Sequence, residues 1–216
     1  MVVFDLDDTL YKEHNYVLSG YNAVARQVSL ESGLDARIVL GRMLLASDPL
    51  AEAAKSGTMP LETYVMLYRH HYPSISLGPA ALNLLNALRE RNIPMAMITD
   101  GRSVGQRNKF LALGLDRFIP QERLLISAET GAEKTSPLPF ERIMEMYPDE
   151  KSWIYIGDNP AKDFFHPRAL GWKTIMLIDV RRENIHSQQD IPSEAHAADY
   201  SVPSLTQALS LIIDNI

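Results

Sequence analysis

The sequence predicts an α/β fold, a doubly wound parallel sheet whose first strand is followed by an all-helical insertion. Three observations carry that expectation. From about residue 79 onward, short apolar runs alternate with helical patterns, and such alternation builds a parallel sheet with helices on both faces. Residues 15–72 hold helical patterns and no convincing strand. The apolar run Val2 to Leu6 precedes that helical block, so the block interrupts the sheet-forming part of the chain.

Val2 to Leu6 reads as a buried strand because its apolar residues run without interruption up to a group of carboxylates. Helices are expected over Tyr16–Leu30, Ala36–Ala46 and Leu61–His71, broken by Gly33, Pro49, Gly57 and Pro60. After Gly78-Pro79, Ala80–Arg91 places Leu82, Leu85 and Leu88 on one helical face, and Ile93–Ile98 reads as a strand. Helix Val104–Leu113 is closed by Gly114; strand Leu124–Ile126, helix Pro139–Tyr147 and strand Trp153–Ile156 follow. Helix Ala161–Leu170 is closed by Gly171 and leads to strand Thr174–Ile178. The polar residues 181–198 read as a surface loop, and Tyr200–Val202 with Leu205–Ile213 close the chain. Residues 1–14 and 75–216 are thus expected to form one domain, and 15–74 a second, helical one.

The 216 residues suffice to bury a core, and the net charge of −6 argues against a broad nucleic-acid-binding surface. The absence of cysteine excludes disulfides, thiolate metal sites and cysteine nucleophiles, and fits a reducing compartment. No basic stretch with a following apolar run opens the chain, and no run approaches the roughly 20 apolar residues that span a bilayer. The protein is read as cytoplasmic, with neither nucleic acid nor membrane as a partner.

Four polar clusters follow apolar strands. Asp5-Leu6-Asp7-Asp8-Thr9 comes first. In a strand, residues i and i+2 share a face, so Asp5 and Asp7 converge if the strand runs through both and diverge if the chain has already left it. Ligands bind at the carboxyl ends of parallel strands, and two neighbouring carboxylates call for a cation or a shared proton. Otherwise the motif is an acidic turn. Ile98-Thr99-Asp100-Gly101 offers a hydroxyl and free N–H groups that can cradle an anion, or a helix cap. Lys134 lies in the polar loop Glu129–Pro137, where a lysine taken alone is a solvated charge. The residue before it is Glu133, whereas a P-loop needs glycine there. Gly157-Asp158-Asn159-Pro160-Ala161-Lys162-Asp163 adds two carboxylates at another strand end, either cap and first-turn acids or oxygen ligands. Oxygen-only ligands favour Mg²⁺, with Mn²⁺ as a substitute.

Taken together and in this order, Asp5-x-Asp7-x-Thr9, Thr99, Lys134 and Gly157-Asp158-x-x-x-x-Asp163 make the chain resemble the haloacid dehalogenase (HAD) superfamily of hydrolases, subfamily I-like. The resemblance spans nearly the whole chain and implies a Rossmann-like core with a C1-type helical cap at 15–74. Two departures stand out: Thr135 and Ser136 separate Lys134 from Pro137, and Asp100 stands where many relatives carry Asn.

The resemblance implies that Asp5 is the nucleophile, forming an aspartyl-phosphate, and that Asp7 is the general acid and base. It implies Mg²⁺ held by Asp5, Asp158 and the Asp7 backbone carbonyl, with Asp163 in support. Thr99 and Lys134 would bind the phosphoryl group; Thr9, Asp100, Gly101 and Asn159 would support the site. Dehalogenase relatives lack an aspartate at the place of Asp7, so the resemblance implies a phosphatase acting on a small phosphorylated metabolite, a nucleotide or sugar phosphate. The DLDDTLY run and helical cap resemble nucleotidase and sialic-acid-phosphate phosphatase relatives. A sugar-phosphate mutase and a non-catalytic binding member are the alternatives. Tyr11, Lys12, His14 and Tyr16 are placed at the entrance, and Arg102 and Lys162 either against substrate or in solvent. His70 and His71, about 100° apart on a helix, are expected on the surface.

Overall fold

The structure, a computed structural model, describes residues 1–186, 188 and 191–215. In chain order its elements are β1 (Val2–Phe4), α1 (Glu13–Ser32), α2 (Ala36–Leu45), α3 (Pro49–Ser56), α4 (Leu61–His70), α5 (Pro79–Glu90), β2 (Met95–Thr99) and α6 (Ser103–Ala112). There follow β3 (Leu124–Ile126), α7 (Ser127–Thr130), α8 (Leu138–Met146), β4 (Ile154–Gly157), α9 (Phe165–Ala169), β5 (Lys173–Leu177), β6 (Tyr200–Val202) and α10 (Leu205–Asn215).

The strands form one parallel sheet in the order β3-β2-β1-β4-β5-β6. Val2, Val3 and Phe4 pair with Met95, Ala96 and Met97 on one side and with Ile154, Tyr155 and Ile156 on the other. The chain steps outward from β1 through β2 to β3, then returns to the other side of β1 for β4 to β6. β1 is therefore the topological switch point, and a crevice opens beyond its carboxyl end.

Strand alternation divides the core into two layers. Val2, Phe4, Met95, Met97 and Ile156 pack with Leu84, Leu85 and Leu88 of α5 and Ala208 and Ile212 of α10. Val3, Ala96, Ile98 and Tyr155 pack on the other face with Phe140 and Ile143 of α8 and the stacked pair Trp153–Trp172, 4.8 Å between centroids. Helices α1 to α4 enclose a separate apolar cluster of Val24, Val28, Val39, Met43, Ala53 and Tyr64.

The fold class matches the sequence reading; several elements differ. Strand β1 ends at Phe4, two residues early, so Asp5 and Leu6 lie beyond the strand, ahead of the turn at residues 8–10. Pro49, read as a breaker, instead starts α3: proline fits the first turn of a helix, and the Asp48 carboxylate accepts from Leu50 N and Ala51 N at 3.1 and 3.0 Å. The helix expected over 161–170 is reduced to α9, because the Asp163 carboxylate holds residues 158–163 in a turn. His71 is buried, 6 % exposed, with Nδ1 2.7 Å from the Tyr68 carbonyl, against the surface position expected for it. Of the expected loop 181–198, residues 187, 189 and 190 lie outside the described residues; Glu194–His196 form a 3₁₀ turn. Among the described residues no helix is long and apolar enough to cross a membrane.

Asp48→Ala removes the α3 cap and should cost about 1 kcal/mol, read as a lower midpoint in urea unfolding.

Candidate functional site

The carboxyl end of β1 leads straight into Asp5, whose backbone N–H still donates to Ile156 O of β4 at 2.8 Å. The carboxylate is buried, 4 % exposed. Lys134 arrives from the loop after α7, and its ammonium donates to Asp5 Oδ1 at 2.7 Å and to Asp163 Oδ1 at 2.6 Å. Thr9 Oγ1 donates to Asp5 Oδ2 at 3.3 Å. Asp163 also accepts from Tyr155 OH and, through Oδ2, from the N–H groups of Asp158 and Asn159 at 3.1 and 2.8 Å. The Asp163 carboxylate lies directly over Gly157: a Cβ there would sit 2.4 Å from Asp163 Oδ2, so only glycine fits.

Oxygens of Asp5, Asp158 and Asp163 lie within 4.8 Å of one another. Lys134 neutralises part of this charge, but among the described residues Asp158 makes no ion pair. Burial, then the charges of Asp5 and Asp163, push the Asp158 carboxyl up to about 9. Burial, against the pull of Lys134 and with the push of Asp163, raises Asp5 to about 7. Burial alone would lower the Lys134 ammonium, yet Asp163 and Asp5 hold it well above the usual lysine range. The cluster is thus short of positive charge. A buried, all-oxygen donor set of this kind fits a hard divalent cation.

Of the two courses the sequence allowed for Asp7, the structure takes the one in which the chain has left the strand. Asp7 lines the same cavity of about 130 Å³ as Asp5, Thr99, Lys134 and Asp158, but its carboxylate binds a different cation. Lys109 of α6 donates to both Asp7 oxygens at 2.7 and 2.8 Å, Gln106 Nε2 to Oδ2 at 2.9 Å and Tyr11 OH to Oδ1 at 2.5 Å. The chain has already left the strand, so the i, i+2 rule no longer directs the two carboxylates to one point. Lys109 is buried, lies 4.3 Å from the centre of the Tyr16 ring and 3.5 Å from Glu13. Burial, then the Asp7 charge, raises Glu13 to about 7.

The remaining expected residues surround these. Thr99 Oγ1 accepts from Gln106 Nε2 at 2.7 Å. Asp100 accepts from Lys134 N at 3.0 Å and from Lys162 at 3.1 Å, which fixes the loop carrying Lys134 and engages Lys162. Gly101 N donates to Ser127 Oγ at 2.9 Å. Asn159 Oδ1 accepts from Ala161 N at 3.0 Å and shapes the turn. Tyr16 and Arg102 line a larger cavity of about 490 Å³ that shares Asp7, Glu13 and Asp100 with the small one and runs beneath Leu61, Tyr68 and Arg69 of α4. Lys12 points to Asp179, and His14 is exposed.

Sequence reasoning missed Gln106, Lys109, Glu13, Tyr155 and Asn184. For two of them a signal existed: Gln106 and Lys109 are i and i+3 on the face of α6 that also carries Phe110, and a glutamine and lysine on an apolar helical face mark a polar site within the fold.

The parallel sheet of this order brings buried carboxylates and a lysine together beyond the carboxyl end of its switch-point strand. The chain belongs to the haloacid dehalogenase-like hydrolases, whose family model matches residues 2–177. It is 22 % identical to the glyceraldehyde 3-phosphate phosphatase of Methanocaldococcus jannaschii, across 98 % of this chain and 96 % of that protein. Among solved structures, a 2-haloacid dehalogenase from Pseudomonas syringae superposes with a TM-score of 0.64 at 18 % identity, over 100 % of this chain and 98 % of the other. A HAD phosphatase from Thermococcus onnurineus superposes with a TM-score of 0.61 at 17 % identity, over 98 % and 96 %. These last two share the fold, and the fold is common to both chemistries.

Because Asp158 is raised above its ordinary 3.8 toward about 9 in the folded chain, the folded state binds the extra proton. Its contribution is complete below pH 4 and is lost as pH rises toward 9. Chelator-treated protein should therefore lose stability in urea from pH 5 to pH 8. Asp158→Asn should flatten that slope; an unchanged slope would contradict the assignment.

Proposed function

We propose that the protein is a Mg²⁺-dependent phosphatase that hydrolyses the phosphate monoester of a small metabolite through an aspartyl-phosphate on Asp5. The single observation that carries this reading is the Lys134 ammonium bridging Asp5 and Asp163 beside Asp158, which makes no ion pair among the described residues. Phosphoryl transfer needs a positioned nucleophile and positive charge around the transferred group. A carboxylate meets a phosphate dianion only where cations offset the repulsion. A Mg²⁺ ion held by Asp5, Asp158 and the Asp7 carbonyl would supply that charge, and Asp163 would support it through the turn that carries Asp158.

An Asp5 oxygen attacks phosphorus as the bond from phosphorus to the ester oxygen breaks. Asp7 delivers a proton to the departing alkoxide, then takes one from the water that releases inorganic phosphate. Lys109, Gln106 and Tyr11 fix the Asp7 carboxylate at the junction of the two cavities. Thr99 and Lys134 bind the phosphoryl oxygens. The small cavity matches a phosphoryl group and the larger one the rest of the substrate.

Helices α1 to α4, with their own apolar cluster, act as the cap domain of residues 15–74, set on a core of 1–14 and 75–216. The cap shields the first step from water. The aspartate at Asp7 gives an acid for an alcohol leaving group, which carbon–halogen cleavage does not require. The relative named glyceraldehyde 3-phosphate phosphatase supports a small sugar phosphate as substrate.

Asp5→Asn, with little change in shape, should reduce phosphate release from an aryl phosphate by roughly a thousandfold or more. Its unfolding midpoint should stay within the range of the parent. Near-parental turnover would remove Asp5 from the role of nucleophile. A screen of triose, pentose and hexose phosphates and nucleoside monophosphates, read as phosphate release, should rank the small sugar phosphates first.

A further inference from the structure

Beyond the residues already discussed, the segment after β5 reaches back across the carboxyl ends of the strands and touches the carboxylate cluster. Asn184 Nδ2 donates to Asp158 Oδ2 at 2.8 Å. The Asn184 backbone N–H donates to Asp179 Oδ2 at 2.7 Å, and the next N–H, of Ile185, donates to Asp8 Oδ2 at 2.9 Å. Gln188 Nε2 donates to the Asp158 and Leu177 carbonyls, each at 2.8 Å, while its Oε1 accepts from Asp179 N at 2.7 Å. The segment is thus strapped at both ends to the loop that holds Asp158 and to the loop that follows the nucleophile.

The direction of the Asn184 amide is fixed chemically. Its Oδ1 accepts from the Lys12 ammonium, and an ammonium only donates. The amide NH₂ must therefore face Asp158, which needs a donor. Asp8 takes part from the other side: it adopts a left-handed backbone conformation, φ 55°, and accepts from Glu13 N at 3.0 Å and from Ile185 N. Two residues of the nucleophile loop, Lys12 and Asp8, thereby set the position of an amide that reaches the far side of the cluster.

We propose that Asn184, oriented by Lys12, is a positioning residue for the metal site: it occupies Asp158 Oδ2 and turns the other oxygen of that carboxylate toward the cation. This rests on the reading of Asp158 as a metal ligand. Groups that orient a metal-binding carboxylate typically control affinity by ten- to a hundredfold. Asn184 offers no atom to the phosphate ester in this arrangement, so its loss acts on metal binding and leaves the response to substrate at saturating metal unchanged.

The test is a Mn²⁺ titration of the protein, followed by calorimetry and by the loss of the free-ion electron paramagnetic resonance signal, for the parent, Asn184→Ala and Lys12→Met. Asn184→Ala should weaken Mn²⁺ binding at least tenfold. Lys12→Met, a substitution at a partly exposed side chain that frees the amide to turn over, should weaken it by a smaller factor. At saturating Mn²⁺ both should hydrolyse an aryl phosphate with the parental KM. Parental Mn²⁺ affinity in both variants would overturn the proposal while leaving the phosphatase reading intact. Should Asn184→Ala fail to fold, Lys12→Met decides alone. A parent protein that binds no Mn²⁺ would overturn the metal site itself, and this proposal with it.

Discussion

Lys134 sits between two buried carboxylates, and the charge balance around it governs the site. A buried ion pair is stable only when its remaining lone pairs and protons are satisfied, and removing one partner leaves an uncompensated charge that costs about 3–5 kcal/mol. Here Lys134 serves Asp5 and Asp163 at once. The backbone N–H groups of residues 158 and 159 and the Tyr155 hydroxyl complete the shell of Asp163. What is left over is Asp158, which has amide donors but no ion pair among the described residues. This excess of negative charge in a buried oxygen cluster is what the proposed metal site rests on.

The backbone makes this arrangement possible. β1 lies at the switch point of the sheet, flanked by β2 and β4. The loops after these strands therefore open into the same crevice: Asp5 from β1, Thr99 and Asp100 from β2, Asp158 from β4. Lys134 enters from the loop beyond β3 and is pinned by the Asp100 carboxylate on its own backbone N–H. Asp100 thus acts as a strut between two loops, a use for an aspartate that its place in the sequence did not reveal. Gly157 closes the list of constraints, since its missing Cβ is the space into which Asp163 fits.

The sheet and its order of elements were legible because buried parallel strands are written as short apolar runs, and the polar residues at their ends stand out against them. Asp5 and Asp158 were legible for the same reason, whereas Lys134 and Asp163 were joined to them only by the resemblance to the family's motifs. Helix α3 was not, since Pro49 reads as a stop unless the capping role of Asp48 is recognised. The course of Asp7 was left open by the sequence, since it depends on where the strand stops; the strand ends two residues before its apolar pattern does, and the Asp7 side chain pairs with Lys109. Asn184 and Gln188 could not be found from pattern at all: they lie in a polar segment whose value depends on distant partners, Lys12 and Asp158, that only the folded chain brings near. Gln106 and Lys109 lie between these cases, hidden by an otherwise ordinary helix.

The most direct measurement is a crystal structure of the protein grown with Mg²⁺ and beryllium fluoride, a phosphoryl mimic that bonds to a nucleophilic carboxylate. The expected result is the fluoride adduct on an Asp5 oxygen, next to Thr99 and Lys134, with the cation shared by Asp5 and Asp158. An adduct on another residue, or a cation bound away from both aspartates, would contradict the account.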